Sequence, residues 1–326
     1  MRRKKMCIAV VVLVCLSFLS FTYTDMAHGA KKLVTIASGW VVGVYFPLAG
    51  ALSRIAHEKL PDIKITVESS GASVANAKLI GSGDADMAIL QNDIAFYALK
   101  GVKPMFDKAI PNMRGITSLY PEHCQIQARK DAKIGSPKDL KGKRVCVGPL
   151  GSGTEQNAIQ ILEAYGLTFG DLSRVERLTA TESADYLKDG RIDAAFYTVG
   201  VGASGLVDVA MMIDSMIVPI DSAHADLLIK KYPFYSKANV PKGVYKGTDQ
   251  DVPTVAVLAI LVTRAELEED IVYRITKVMF ENIKDIERAH AKGKEVRLET
   301  ATVGMPIPLH PGAEKYFKEV GVIKIR

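Results

Sequence analysis

One nine-residue pattern occurs twice and narrows the possible folds more than any other feature. Ile80-x-x-Gly83-x-x-Asp86-Met-Ala is matched by Leu187-x-x-Gly190-x-x-Asp193-Ala-Ala. Each copy reads as the end of a helix, a turn on glycine and the entry of a buried strand. Each also sits in the same run of alternating strands and helices, which argues for a pair of similar α/β units. In the first unit, Lys32–Ala37, Ile63–Glu68 and Met87–Leu90 read as strands. Helices are expected from Pro47, from Ser70-Gly-Ala-Ser73 to about Ile80, and over Asn92–Leu99. In the second, Lys143–Val147, Val175–Leu178 and Ala194–Tyr197 read as strands. Helices are expected over Thr154–Tyr165 and up to Leu187. Gly166 suits a left-handed stop.

Two further strand-like runs, Gln125–Ala128 and Thr254–Val262, bracket the second unit and are the expected crossings between domains. The tail returns to helix, with Ile271, Ile275, Val278, Met279 and Ile286 on one stripe behind the acids Glu268, Glu269 and Asp270. The first domain is therefore expected to be discontinuous, residues 30–120 with 258–326, and the second to span residues 121–257.

The beginning of the chain reads as an address. Arg2, Arg3, Lys4 and Lys5 precede an apolar run from Met6 to Phe21, and small residues follow at Ala27, Gly29 and Ala30. That order is expected of a secretory signal peptide over residues 1–29, an uncleaved anchor being the alternative, and places the mature protein in the periplasm. The 326 residues carry 42 basic and 36 acidic side chains, a net +6. Residues 1–29 hold half of that excess, so the body is close to balance and no nucleic-acid partner is expected. Two cysteines remain beyond the leader, Cys124 and Cys146. They are too few for a disulfide framework, and buried thiols or one bridge both fit.

Three Gly/Ser-rich loops lie between a strand and a helix start: Ser38–Tyr45, Ser69–Ser73 and Pro149–Thr154. In α/β sheets ligands gather at such loops, where helix starts offer unpaired N–H groups and a partial positive charge. A carboxylate can be held there without Arg or Lys. Ser152-x-x-Glu155 is also a capping box, so Ser152 serves either its helix or a ligand. Asp93 is read in two ways as well, as a cap or as a partner for a ligand ammonium. Gln91 can bond either end of an amino acid. Tyr45, Tyr120 and Tyr197 stand at or beside strand ends, as cleft walls or as core.

Catalytic signatures do not assemble. Pro149-Leu-Gly-Ser-Gly-Thr lacks the lysine of a phosphate-binding loop, and Gly151-Ser-Gly153-Thr-Glu-Gln lacks the third glycine of a dinucleotide fingerprint. No G-x-S-x-G surrounds Ser152 or Ser82, and no histidine or cysteine spacing suits a metal. The expectation is a binding protein without enzymatic activity, cofactor or metal, and a monomer. An enzyme, or a sensory or adhesive surface protein on the same scaffold, is the alternative.

Across nearly all of residues 32–320, a series of motifs resembles the TAXI-type solute receptors of TRAP transporters (tripartite ATP-independent periplasmic systems). They are Gly43-Val-Tyr45-Phe-Pro47, Ser70-Gly-Ala-Ser73-x-x-Asn76, Gly83-Asp-Ala-Asp86, Gln91-x-Asp93 and Asp139-Leu-Lys-Gly-Lys143. Further along come Gly148-x-x-Gly-Ser-Gly-Thr154, Lys231-Tyr-Pro-Phe-Tyr235, Asp251-Val-Pro-Thr254 and Pro306-Ile-Pro-Leu-His310-Pro-Gly312. The resemblance implies a two-lobed periplasmic-binding-protein fold of type II, two α/β domains joined by hinge strands. It would close on a small acidic solute, such as glutamate, a related amino acid or a dicarboxylate, and deliver it to a TRAP permease. Mapped onto this chain, the expected ligand contacts are Gly39, Tyr45, Ser70, Ser73, Asn76, Gln91, Asp93, Tyr120, Gly151, Ser152, Gly153, Thr154 and Tyr197. Trp40-Val41-Val42 stands where the family usually has a glycine-rich run, and Gly200-Val-Gly202 where it often has proline.

Overall fold

The computed structural model describes residues 31–324 except Val42, so the signal-peptide reading of residues 1–29 lies outside the described residues. The first unit runs β1 (Lys32–Ala37), α1 (Tyr45–Lys59), β2 (Ile63–Glu68), α2 (Ser73–Ser82), β3 (Met87–Gln91) and α3 (Asn92–Lys100). β1 is parallel to both β2 and β3, with Lys32 opposite Ile63 and Ile36 opposite Met87. α1 begins two residues before the expected Pro47. Proline is tolerated within a first turn, where its missing N–H has no helical partner to lose.

A long strand, β4 (Met113–Arg129), then leads into the second unit. That unit comprises β5 (Arg144–Cys146), α4 (Gly153–Ala164), β6 (Arg174–Glu176), α5 (Ala180–Lys188), β7 (Ala194–Val199) and α6 (Ser204–Met212). β5 is parallel to both β6 and β7. After β8 (Ser215–Val218), α7 (Ser222–Lys231) and β9 (Ser236–Val240), the chain returns through β10 (Val252–Arg264). It ends on α8 (Glu269–Glu281), α9 (Ile283–Ala289) and α10 (Pro311–Glu319).

The sheet order is β2-β1-β3-β10-β4-β7-β5-β6, with β8 on β4 and β9 on β10. β4 and β10 are antiparallel to one another and form the ribbon on which both units are built. Apolar clusters lie to either side of it. Phe280, Tyr316 and Phe317 of the last helices pack with Leu48, Leu52 and Ile55 of α1. Ile126, Val145, Ile161 and Phe196 form a core on the other side. Both crossing strands are longer than the sequence suggests, because β4 continues through Pro121-Glu122-His123. Its ladder with β10 is irregular beside Leu119, which lets the chain carry a proline there.

The sequence echo has a physical basis. Gly83 and Gly190 follow α2 and α5 with φ of 81° and 68°, left-handed values that suit glycine. The Asp86 N–H donates to Thr35 O at 3.0 Å, and Thr35 N–H donates back to Asp86 Oδ2 at 2.9 Å. Asp193 repeats the exchange with Arg144, at 2.8 Å both ways. The carbonyl of each aspartate also accepts from an arginine N–H at the end of a crossing strand, Arg264 at 3.1 Å and Arg129 at 3.0 Å. One aspartate therefore ties three strands in each unit.

Among the described residues, no helix is long and apolar enough to cross a membrane. Cys124 and Cys146 are buried free thiols.

Candidate functional site

Helix starts converge between the two units. β1, β2, β5, β6 and β7 each hand over to a loop and then a helix, and the starts of α1, α2, α4, α5 and α6 all border one cavity of about 470 Å³. The first unit contributes Gly39, Trp40, Val44, Tyr45, Ser73 and Gln91. The second contributes Ser152, Gly153, Thr154, Leu178, Ser183, Phe196, Tyr197 and the Gly202–Leu206 turn. Tyr120 and Glu122 reach it from β4. No lysine or arginine is among the described residues lining it.

The helix starts differ in what they have free. Ser152 Oγ accepts from Glu155 N and donates to Pro149 O, while Glu155 Oε2 accepts from Gly151 N. Thr179 and Glu182 form a capping box on α5. α1, α2 and α6 have no side-chain cap, so their first amides remain available to an anion.

Ala72, before α2, has φ 69° and ψ −147°, a region that only glycine enters without strain. Ser70 Oγ accepts from its N–H at 3.1 Å and helps hold it there. Ala72→Gly is expected to stabilise the protein by about 1 kcal/mol, the relieved strain outweighing glycine's extra freedom in the unfolded chain. Calorimetric melting reads the change, and a lower melting temperature would contradict it.

Glu122 is the buried acid of the site, 3% exposed. Tyr45 Oη donates to its Oε2 at 2.6 Å and Tyr120 Oη to its Oε1 at 3.2 Å. Burial pushes the carboxyl up to about 8, against the lowering effect of the two tyrosines. Both phenols are themselves raised well above their ordinary value, by burial first and by Glu122 second. Gln91 Oε1 and Tyr197 Oη, both buried on the cavity wall, have no protein partner.

The two units touch directly at Gln91 and Gly153. A Cβ on Gly153 would lie 1.9 Å from Gln91 Oε1. Beside this contact, α3 and α4 share a buried polar network. Asn157 Nδ2 donates to Asp93 Oδ2 at 3.1 Å and to Tyr235 Oη at 2.8 Å. Tyr235 Oη donates to Gln160 Oε1 at 2.5 Å, and Gln160 Nε2 to Tyr97 Oη at 3.0 Å. Phe234 packs on Phe96 and Tyr97, with ring centroids 4.9 and 5.8 Å away.

The model of the NMT1-like family matches residues 36–321. This chain belongs to the NMT1-like family. Solved structures with the same fold include PhnD1 from Prochlorococcus marinus in complex with methylphosphonate. It shows 12% identity over 90% of this chain and 99% of that one, with a TM-score of 0.57. The alkanesulfonate-binding protein SsuA from Xanthomonas axonopodis pv. citri, bound to MOPS, is 15% identical over 89% and 84%, with a TM-score of 0.50. The periplasmic aliphatic sulphonate binding protein SsuA from Escherichia coli is 14% identical over the same shares, also at 0.50. The likeness is one of fold: a mixed α/β, type II periplasmic-binding-protein architecture.

In this NMT1-like chain, Gly39, Tyr45, Ser73, Gln91, Tyr120, Ser152, Gly153, Thr154 and Tyr197 line the cavity. Ser70, Asn76, Asp93 and Gly151 do not. Asn76 Nδ2 donates to Ser38 O and Ile89 O, and Ser70 Oγ bonds to Asn76 Oδ1, so this pair ties the ends of β1 and β3 together. Asp93 accepts from Ile94 N and Asn157 Nδ2 and is fully buried. Gly151 turns the loop at φ 74°. Asp93 is not the cap of its helix: Gln91 precedes α3 without a side-chain cap bond, and Asp93, in the first turn, joins α3 to α4 through Asn157. The wall formed by Leu178–Asp185 and Gly202–Leu206, together with Glu122 and His290, was not anticipated. Glu122 does carry one signal, as the one acidic residue, with no lysine or arginine, in the stretch from Gly115 to Ala128.

Proposed function

We propose that this NMT1-like chain is an exported solute receptor. Residues 30–120 with 258–326 form one lobe and residues 121–257 the other. It captures a small solute bearing a carboxylate, sulfonate or phosphonate in the cleft and delivers it to a membrane permease.

The observation that carries this reading is the cavity of about 470 Å³, walled from both sides and bordered by five helix starts. Its size lies in the range of small-molecule sites, and helix starts favour an anion. A solute touching both lobes stabilises the closed arrangement over an open one, with the β4–β10 ribbon as the hinge. The likeness to SsuA and PhnD1, whose structures hold a sulfonate buffer and a phosphonate, supports the class of solute. The acidic amino acids and dicarboxylates suggested by the TAXI-like motifs belong to the same broad class. Those motifs favour a TRAP permease as partner and the periplasm as location.

Calorimetric titration of the purified receptor tests the reading with acidic and neutral amino acids, dicarboxylates, alkanesulfonates and alkylphosphonates. At least one is expected to bind and to raise the melting temperature, by about 2.7 kcal/mol of stability at a hundred times its Kd. Heat from none of them would refute it. Uptake in cells is expected to stop when the ion gradient is collapsed and to survive ATP depletion. The reverse would assign an ATP-driven permease.

A further inference from the structure

We propose that Glu122 is the counter-charge to an ammonium group of the solute, so that the cleft selects a zwitterion with an apolar body, a neutral α-amino acid, over a dianion. This rests on the receptor reading above and specifies its solute.

The argument begins with the direction of the hydrogen bonds. Tyr45 and Tyr120 were expected among the ligand contacts, but both phenolic protons are committed to Glu122 when its carboxyl is ionised, as it is beside a bound ammonium. What the two rings retain for a solute is lone pairs. Gln91, on the same cavity wall, carries an acceptor without a partner, its Oε1, buried against Gly153. Together with the carboxyl of Glu122, this part of the cavity calls for a donor.

The charges point the same way. Asp185 and Asp208, the other acids on the lining, are both paired with Lys188, at 3.0 and 2.6 Å. Groups acting on Glu122 come from every side. Tyr45 stands on α1, Tyr120 on β4, and Asp93 on α3 raises its carboxyl further. Lys292 and Glu295, after α9, bond to one another at 2.6 Å. Lys292 lowers the Glu122 carboxyl, the last of these influences, while its own Nζ is bonded to Glu295. A second carboxylate on the solute would meet this acid with no cation among the described lining residues to offset it.

The solute's single anionic group has the uncapped starts of α2 and α6, and its apolar body has Val44, Leu178, Phe196 and Leu206. Because burial lifts Glu122 to about 8, its carboxyl is mostly protonated at pH 7 in the empty cleft. An ammonium beside it favours the ionised form, so the carboxyl proton leaves to solvent as the solute binds.

The test is titration calorimetry at pH 7 in phosphate and in Tris, whose different ionisation heats report proton release. The probes are the apolar and aromatic α-amino acids, each beside the carboxylate lacking its amino group, for instance L-phenylalanine and 3-phenylpropanoate, with L-glutamate and succinate for comparison. At least one neutral amino acid is expected to bind tenfold or more tightly than its amine-free counterpart and than both dianions, releasing close to one proton. In Glu122→Gln the preference for the amine is expected to fall to near one and the proton release to vanish.

Equal affinity with and without the amine, binding without proton release, or an undiminished preference in Glu122→Gln would overturn the inference. If amine-free carboxylates, sulfonates or phosphonates bind and neutral amino acids do not, this inference fails and the receptor reading stands. If nothing binds, both fail.

Discussion

Valine at position 153 is expected to weaken solute binding roughly tenfold to hundredfold while leaving the fold intact. Gly153 opens α4 at a position where no positive φ demands glycine, so a larger residue is compatible with the backbone. What the site lacks is room. Even one added carbon would come within 1.9 Å of Gln91 Oε1 and 2.3 Å of Gln91 Cδ. Gln91 belongs to the end of β3 and Gly153 to the start of α4, so the collision falls where the two units meet. Either the units are held apart or the glutamine swings into the space a solute needs, and both outcomes oppose binding. Overpacking of this kind costs about 1–3 kcal/mol, which sets the tenfold-to-hundredfold range. Titration of Gly153→Val beside the parent protein, with melting of both in the absence of solute, measures the effect. Undiminished affinity would show that this contact plays no part in closure.

The second large effect is on stability as a function of pH. Glu122 rises from 4.5 to about 8 on folding and Asp93 from 3.8 to about 7, both chiefly through burial. A carboxyl whose pKa is raised in the folded state makes that state hold its proton more tightly than the unfolded chain does. The stabilisation is therefore complete below pH 4 and is lost as pH climbs through the folded values. For Glu122 alone the loss amounts to about 5 kcal/mol between the two limits. Asp93 acts in the same direction over a slightly lower window. The solute-free protein is expected to melt at progressively lower temperature from about pH 5 to pH 8. Glu122→Gln, which cannot ionise, should flatten that fall and be the more stable form at pH 8. Melting curves across this range decide it, and parallel profiles for the two proteins would contradict the assignment.

Much of the architecture is legible in local signals. Alternating strand and helix periods, left-handed glycines after helices, and the paired Gly-x-x-Asp turns are set by interactions a few residues long, whereas the two aspartate clamps join residues 51 and 49 positions apart. The crossing strands were harder to read. A run containing Pro121, Glu122 and His123 does not look like the inside of a sheet, yet β4 carries all three.

The site was legible where backbone decides it, at the starts of α1, α2 and α4, and opaque where side chains compete. Ser70, Asn76 and Asp93 have the right chemistry for a ligand, but their bonding capacity is taken by backbone carbonyls and by Asn157. Nothing in a sequence marks whether a polar group's partner is solute or scaffold. The wall from Leu178 to Asp185 carries no motif and comes to the cavity through tertiary packing alone.

Glu122 lies opposite Val257 in the ribbon of β4 and β10, near the midpoint of β4. A group placed on the axis of a rotation barely travels while the bodies on either side swing. On the proposed closure, an arriving molecule would meet its electrostatic partner first, in the gaping form, and the helix starts would arrive afterwards. Capture would then proceed in sequence, charge sorted before shape. A receptor wedged ajar by Gly153→Val should accordingly still prefer amines, at reduced strength, and loss of that preference along with the affinity would show that both are read together.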